Sequence, residues 1–318
     1  FGMMMFFMLG GALRSAGDAR TPLRLGVTLT ALNILLNVIL IRGLGPIPAM
    51  GTAGAAWGTV IAGGVISLFA LSRLVSGTWV VAFPKGMSWR PDWSIIRALF
   101  RFGLPAGYQG VAMNIAGVLL LRFIGSLDQS AEAQAAYAVG YTELFSLVTW
   151  TSVGLMGATA AVAGQNLGAG HPDRSARAVR VASRIGLALA GTVGLLFLAV
   201  PRTLLAVFGM RDPAVVALGV QLLGYLSVSG LFITVALVYT GGLQGTGDTR
   251  SPFYISIVSQ IVVPLGLCAL FQELGGLEPR EIWLAILLGH ATRCLLSVSR
   301  FRQEKWRHIH VGIEPAPS

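Results

Sequence analysis

One carboxylate stands apart from the other acids of this 318-residue sequence. Glu143 lies in the apolar run AAYAVGYTELFSLVTW, about ten residues, hence ~15 Å of helix, from the end of its stretch. A charge near the centre of a bilayer costs at least ~2.5 kcal/mol on insertion scales. Low-dielectric surroundings therefore favour the neutral acid over the carboxylate. A cation-coupling group, one that takes up and gives back a proton, needs that balance. The other reading is an acid paired with a neighbouring helix or reached by water from outside. At helical spacing Ala136, Gly140, Glu143, Leu147 and Trp150 share one face. Small residues, an acid and an indole on one face suit a cavity for an organic cation, with cation–π attraction from Trp150.

Other polar side chains interrupt the apolar runs. Gln109 and Asn114 are the deep polar groups of LPAGYQGVAMNIAGVLLLRF. Tyr137 and Tyr141 sit one turn apart beside Glu143, Gln221 and Tyr225 lie in a later run, and Asn33 and Asn37 are spaced i, i+4. Each is a candidate cavity or substrate residue. Each also has a plainer use, since amides and hydroxyls commonly hydrogen-bond between membrane helices. Gly54 and Gly58 form a GxxxG pair suited to close packing. His290 and Arg293 fall near the end of the last run, where a histidine can relay protons or simply pack. Cys268 and Cys294 are isolated in apolar segments and imply neither a disulfide framework nor a metal site. Neither a His-Glu-His zinc motif nor paired Asp-rich motifs occur, so an intramembrane enzyme and its cofactors are not expected.

The elements that carry these residues follow from composition. Hydrophobic residues make up 54% of the chain and charged ones only 11%, too few charges to cover a water-facing surface. Spans of about 20 apolar residues are expected at roughly 24–42, 53–80, 103–125, 134–163, 180–200, 214–240, 253–271 and 281–299. The opening run to Leu13 reads as the end of a further helix. Alternating these spans across a bilayer puts 18 of the 23 Lys and Arg residues on one side. That side is then cytoplasmic, and so is the C-terminal tail. The net charge of +10 is thus juxtamembrane rather than a nucleic-acid footprint. Residues 82–101, with Trp89, Trp93, Arg97 and Arg101 among apolar residues, read as an amphipathic interfacial linker between two bundles.

Two segments repeat. GALRSAGDARTPL (11–23) and GGLQGTGDTRSPF (241–253) agree at Gly17/Gly247, Asp18/Asp248, Arg20/Arg250 and Pro22/Pro252, among others. Both fall on the same predicted side, as in a parallel repeat about an axis along the membrane normal. Glycine suits the turn, aspartate caps the next helix and proline fits its first turn. The spacing implies an all-α polytopic protein of two pseudo-symmetric six-helix lobes, with roughly 130 residues of the first lobe expected before residue 1. The expected organisation is 1–81 as the remainder of the N-lobe, 82–101 as linker, 102–300 as C-lobe and 301–318 as tail.

These features together resemble the multidrug and toxic compound extrusion (MATE) family. GQNLGAG (164–170), with Gly164, Gln165 and Gly168, resembles that family's loop after helix 8. LRSAGDARTPL and LQGTGDTRSP resemble its two lobe-equivalent loops, MGTAGAAWGT (50–59) the start of helix 6 and FRFGLPAG (101–107) the start of helix 7. The resemblance implies an alternating-access antiporter holding the end of helix 4 through helix 12. It would export amphipathic or cationic compounds across the inner membrane, driven by H⁺ or Na⁺, and act as a monomer. The family's acid on helix 8 matches Glu143, whereas the acid several members carry on helix 7 is missing here, which favours H⁺. A flippase for a lipid-linked precursor would share the two-lobe plan. It would want basic residues in a central cavity, and Arg122, Arg202 and Arg293 read as lying near span ends.

Overall fold

The computed structural model describes residues 2–83 and 90–309. Trp89 of the expected linker and half of the expected tail, 310–318, lie outside them. The chain is helical: α1 (Gly2–Ser15), α2 (Arg20–Arg42), α3 (Gly51–Val75), α4 (Trp93–Gly125), α5 (Ser130–Tyr137), α6 (Ser146–Gly168), α7 (Pro172–Ala199), α8 (Pro201–Val207), α9 (Pro213–Gly245), α10 (Arg250–Ile257), α11 (Val263–Leu274) and α12 (Pro279–Arg302). A π turn, Ala138–Leu144, joins α5 to α6, and another, Val258–Val262, joins α10 to α11. With these joins, eight helices among the described residues are long and apolar enough to cross a membrane. Each overlaps one of the eight expected spans, but the ends differ: α3 stops at Val75 rather than at 80, and α4 starts at Trp93, ten residues before its expected span.

Residues 1–91 and 92–318 form two compact units. In the first, α1 and α2 pack on α3 around Leu25, Leu29, Ala62, Ile66 and Ala70. Polar groups tie the same helices. The Asn37 amide donates to Asn33 Oδ1 at 3.3 Å, and the Asn33 amide to Thr59 Oγ1 at 3.2 Å. Gly54 and Gly58 sit where a Cβ would strike the Leu40 carbonyl and the Asn37 side chain. The asparagines and the GxxxG pair thus serve α2–α3 packing, as interhelical polar and small residues do.

In the second unit α9 is the central helix, flanked by α6, α7 and α12. Close approach of α9 to α6 is written in glycine. A Cβ on Gly241 or Gly245 would collide with the backbone of Met156 or Ala160, and one on Gly164 would lie 2.6 Å from the Gly245 carbonyl oxygen. Gly164 and Gly168 therefore belong to the last turns of α6, not to the loop the sequence suggested. That loop is confined to the turn at Ala169–His171, where Gly170 takes φ +77°. A second correction concerns the linker. Residues 93–101 are the first turns of α4, so the expected boundary at 101 falls inside a helix. Asp92 starts that helix, its Oδ1 accepting from the backbone N–H of Ser94 at 2.9 Å and of Ile95 at 3.3 Å.

The repeated segments fold alike. Gly17 and Gly247 take φ of +91° and +95°, the left-handed region that glycine enters at no steric cost. Asp18 N–H donates to Leu13 O and Asp248 N–H to Leu243 O, each at 2.9 Å. Each aspartate carboxylate then accepts backbone N–H groups at the start of the next helix, Asp18 from Arg20 and Thr21, Asp248 from Ser251. Arg20 and Arg250 open those helices and point outward.

Candidate functional site

The π turn Ala138–Leu144 carries Glu143. Its wide hydrogen bond is explicit, Phe145 N–H to Gly140 O at 3.0 Å. Such turns insert an extra residue into the helical ladder, and the insertion rotates everything that follows. Ala136 and Gly140 are buried, while Glu143, Leu147 and Trp150 are exposed. The single face expected from 3.6-residue spacing is therefore split, and Glu143 does not share a cavity wall with the small residues before it. It lies thirteen residues beyond Ser130 at the start of its 39-residue span, ~20 Å along the axis. No other acid among the described residues lies so deep in a membrane-length helix. Its backbone carbonyl accepts from Ser146 Oγ at 2.5 Å.

The tyrosines before it face inward. Tyr137 and Tyr141 stack on each other at 4.9 Å, Tyr137 on Trp283 at 6.2 Å, and Tyr141 on His290 at 6.4 Å, with Phe145 5.8 Å from the same imidazole. Three of these rings, Tyr137, Tyr141 and His290, line a cavity of about 250 Å³. Leu120 of α4, Gln260 of the second π turn, Pro264 of α11 and His290 of α12 close it. α12 reaches the π turn so closely that a Cβ at Gly289 would stand 2.7 Å from the Ser259 carbonyl oxygen.

His290 and Arg293 are not at a helix end. α12 runs on to Arg302, so Arg293 is nine residues from its terminus, ~14 Å. Both side chains are buried, at 2% and 5% exposure. His290 Nδ1 and Arg293 Nε have no hydrogen-bond partner. Judging depth by distance from the expected span end hid their burial. The signal that could have shown it was the i, i+3 placement of a histidine and an arginine directly after a glycine.

The remaining candidates are dispersed. Gln109 is a buried bridge, its amide donating to Ser256 Oγ at 2.6 Å and its carbonyl accepting from Gln244 at 3.4 Å. It thereby ties α4 to α10 and α9. Asn114 is exposed and donates to its own helix at Gly110 O, 2.9 Å. Gln221 is exposed on α9, and Tyr225 is half-buried against the core of the second unit.

The MatE family model matches residues 105–270, more than half of the chain. The probable multidrug resistance protein NorM of Deinococcus radiodurans is 30% identical over 304 residues, covering 93% of this chain and 65% of that protein. The multidrug resistance protein PmpM of Pseudomonas aeruginosa is 29% identical, covering 92% and 62%. The chain thus spans just under two-thirds of the length of these relatives. Among solved structures, a MATE crystallised in complex with MaL6 superposes with a TM-score of 0.84 at 23% identity, covering 94% of this chain and 66% of that one. An outward-facing multidrug resistance MATE transporter of the MOP superfamily gives 0.83 at 22%. The eight membrane-length helices, their order and the matched residues together make this chain a multi-pass membrane protein of the MatE family.

Proposed function

We propose that this chain is the greater part of a secondary exporter that moves amphipathic or cationic compounds out across the inner membrane by alternating access. Its C-terminal tail is cytoplasmic, and inward H⁺ is the driving ion, with Na⁺ the other choice. The family membership supports the export reading, since its relatives in Deinococcus radiodurans and Pseudomonas aeruginosa are named as multidrug resistance proteins. The single observation that carries the coupling reading is Glu143, the deep carboxylate of a membrane-length helix, set in a π turn. Intramembrane ionisable residues mark ion pathways, and π turns recur at functional sites. Exposed Trp150, two turns on, offers a cation–π surface for substrate.

The flippase reading gains one observation, the deep cation Arg293. Family membership and the names of the relatives leave export the reading with better support. The test is accumulation of ethidium in an efflux-deficient bacterial strain expressing the gene product that contains this chain. Lower accumulation, restored by collapsing the proton gradient, is the expected result. Unchanged accumulation with the protein present in the membrane overturns the proposal.

A further inference from the structure

Arg174, Arg177, Arg180 and Arg184 stand on the outer side of α7. All four are exposed, and none makes an ion pair among the described residues. The helix holds a single acid, Asp173 in its first turn, and Arg307 engages it at 3.0 Å. The opposite face, with Ser175, Val179, Ser183 and Gly186, is buried against α6 and α9. Ser175 Oγ donates to Ala163 O of α6 at 2.7 Å, and a Cβ on Gly186 would strike Thr234 of α9. Helical periodicity then turns the arginines away from the rest of the second unit.

Their depth sets them apart from a strip that water alone solvates. Arg202, exposed on α8 just past Ala199, marks the interface at the far end of α7. Counted back from Ala199, a hydrocarbon core ~30 Å thick reaches about to Val179 at 1.5 Å per residue. Arg184, ~22 Å from that end, falls inside the core margin, and Arg180, ~28 Å from it, at the boundary. Arg174 and Arg177 lie beyond it, at headgroup level. Val181 and Ile185, exposed beside the arginines, suit a lipid-facing surface. A charge inside the core margin is costly unless its long side chain reaches back to the interface, and what it meets there is lipid phosphate. On the same face, one and two turns below Arg184, stand Ala188 and Gly191, where an added Cβ at Gly191 would meet nothing within 4 Å. These small residues leave a shallow trough that runs on to exposed Leu195, room for an acyl chain directly beneath the charges.

We propose that this face of α7 binds an anionic phospholipid, one whose phosphate has no ammonium group to balance it. Arg180 and Arg184 meet the phosphate, Arg177 and Arg174 the outer part of the headgroup, and one chain lies along Ala188 and Gly191. Clusters of arginine at the end of a membrane helix attract anionic lipid in this way. The site is remote in sequence from Glu143 and holds whether or not the protein exports cations.

The test is native mass spectrometry of the purified gene product that contains this chain, in non-ionic detergent. It is titrated with dioctanoyl phosphatidylglycerol and, separately, with dioctanoyl phosphatidylcholine, which has the same phosphate and chains but adds an ammonium group. Phosphatidylglycerol is expected to bind about fivefold more tightly or better. The double variant Arg180→Gln/Arg184→Gln should lose most of that preference. Arg202→Gln/Arg211→Gln, which removes two exposed arginines outside α7, should keep it. Equal affinity for the two lipids, or a preference undiminished in Arg180→Gln/Arg184→Gln, overturns the proposal. So does displacement of the bound lipid by equimolar glycerol phosphate, which would assign the charges to a free anion. Should the double variant fail to fold, the single variants Arg177→Gln and Arg184→Gln carry the same comparison.

Discussion

Arg300 of α12 places both Nε and Nη2 on one carboxylate oxygen of Asp248, at 2.9 and 2.8 Å. Asp248 is 5% exposed and occupies the turn between α9 and α10, where its other oxygen accepts the Ser251 N–H. The pair therefore fastens the last membrane-length helix to the repeated turn. The equivalent turn in the first unit has Asp18 in the same backbone role but only half-buried, with no arginine ion pair among the described residues. Removing Arg300 leaves a buried carboxylate short of donors, which costs about 1–3 kcal/mol. Arg300→Ala should lower the thermal midpoint of the purified protein measurably, and Asp18→Asn should lower it less. Equal losses would show that the two turns are equally independent of α12.

Asp92 gives a pH prediction. Hydrogen bonds from Ser94 side chain and backbone, with a further one from Ile95, hold its carboxyl below the ordinary value of 3.8. A lowered value in the folded state stabilises the fold above pH 3.8. That contribution is lost as pH falls through the depressed value. Asp92→Asn should thus flatten the stability profile below about pH 4 while leaving the slope near pH 7 unchanged. A change confined to neutral pH would contradict this assignment.

The glycine contact between α6 and α9 predicts steric failure at named positions. Gly241→Val must push the helices apart against the Met156 backbone, at a cost of about 1–3 kcal/mol. Gly266→Ala, where nothing lies within 4 Å of the added methyl, should be tolerated. Comparing folded yield and thermal midpoint of the two variants checks the contact.

The segment after α12 is built in rather than trailing. Trp306 is 1% exposed, stacks on Phe301 at 4.9 Å and donates its indole N–H to the Phe301 carbonyl at 2.9 Å. Arg307 bridges Asp173 at the start of α7 and Glu304. Trp306→Ala should destabilise by about 3–5 kcal/mol, as truncations of buried tryptophan do. Arg307→Ala should cost far less, because Asp173 is exposed.

Much of this was legible in the residues. Membrane-length apolar runs fixed the eight helices, because hydrogen-bonded helix is one of the few states the chain can adopt in lipid. Gly17 and Gly247 announced their turns by the positive φ those turns demand. The faces were harder. A π turn leaves no compositional mark in AAYAVGYTEL, so the phase shift that separates Glu143 from Gly140 had no visible cause. The start of α4 was misread for a different reason: Trp93, Arg97 and Arg101 give an interfacial pattern whether they lie on a separate segment or on the first turns of a spanning helix. The burial of His290 and Arg293 was misjudged because depth depends on what packs around a residue, here Tyr141 and the second π turn, and not on its distance along the helix.

The central claim is that Glu143 couples a cation gradient to export. Its most direct test is ethidium transport driven by an imposed proton gradient in membrane vesicles, comparing the unaltered gene product with Glu143→Gln at equal membrane levels. The account predicts gradient-driven transport by the former and its loss in the latter. Transport undiminished in Glu143→Gln contradicts it.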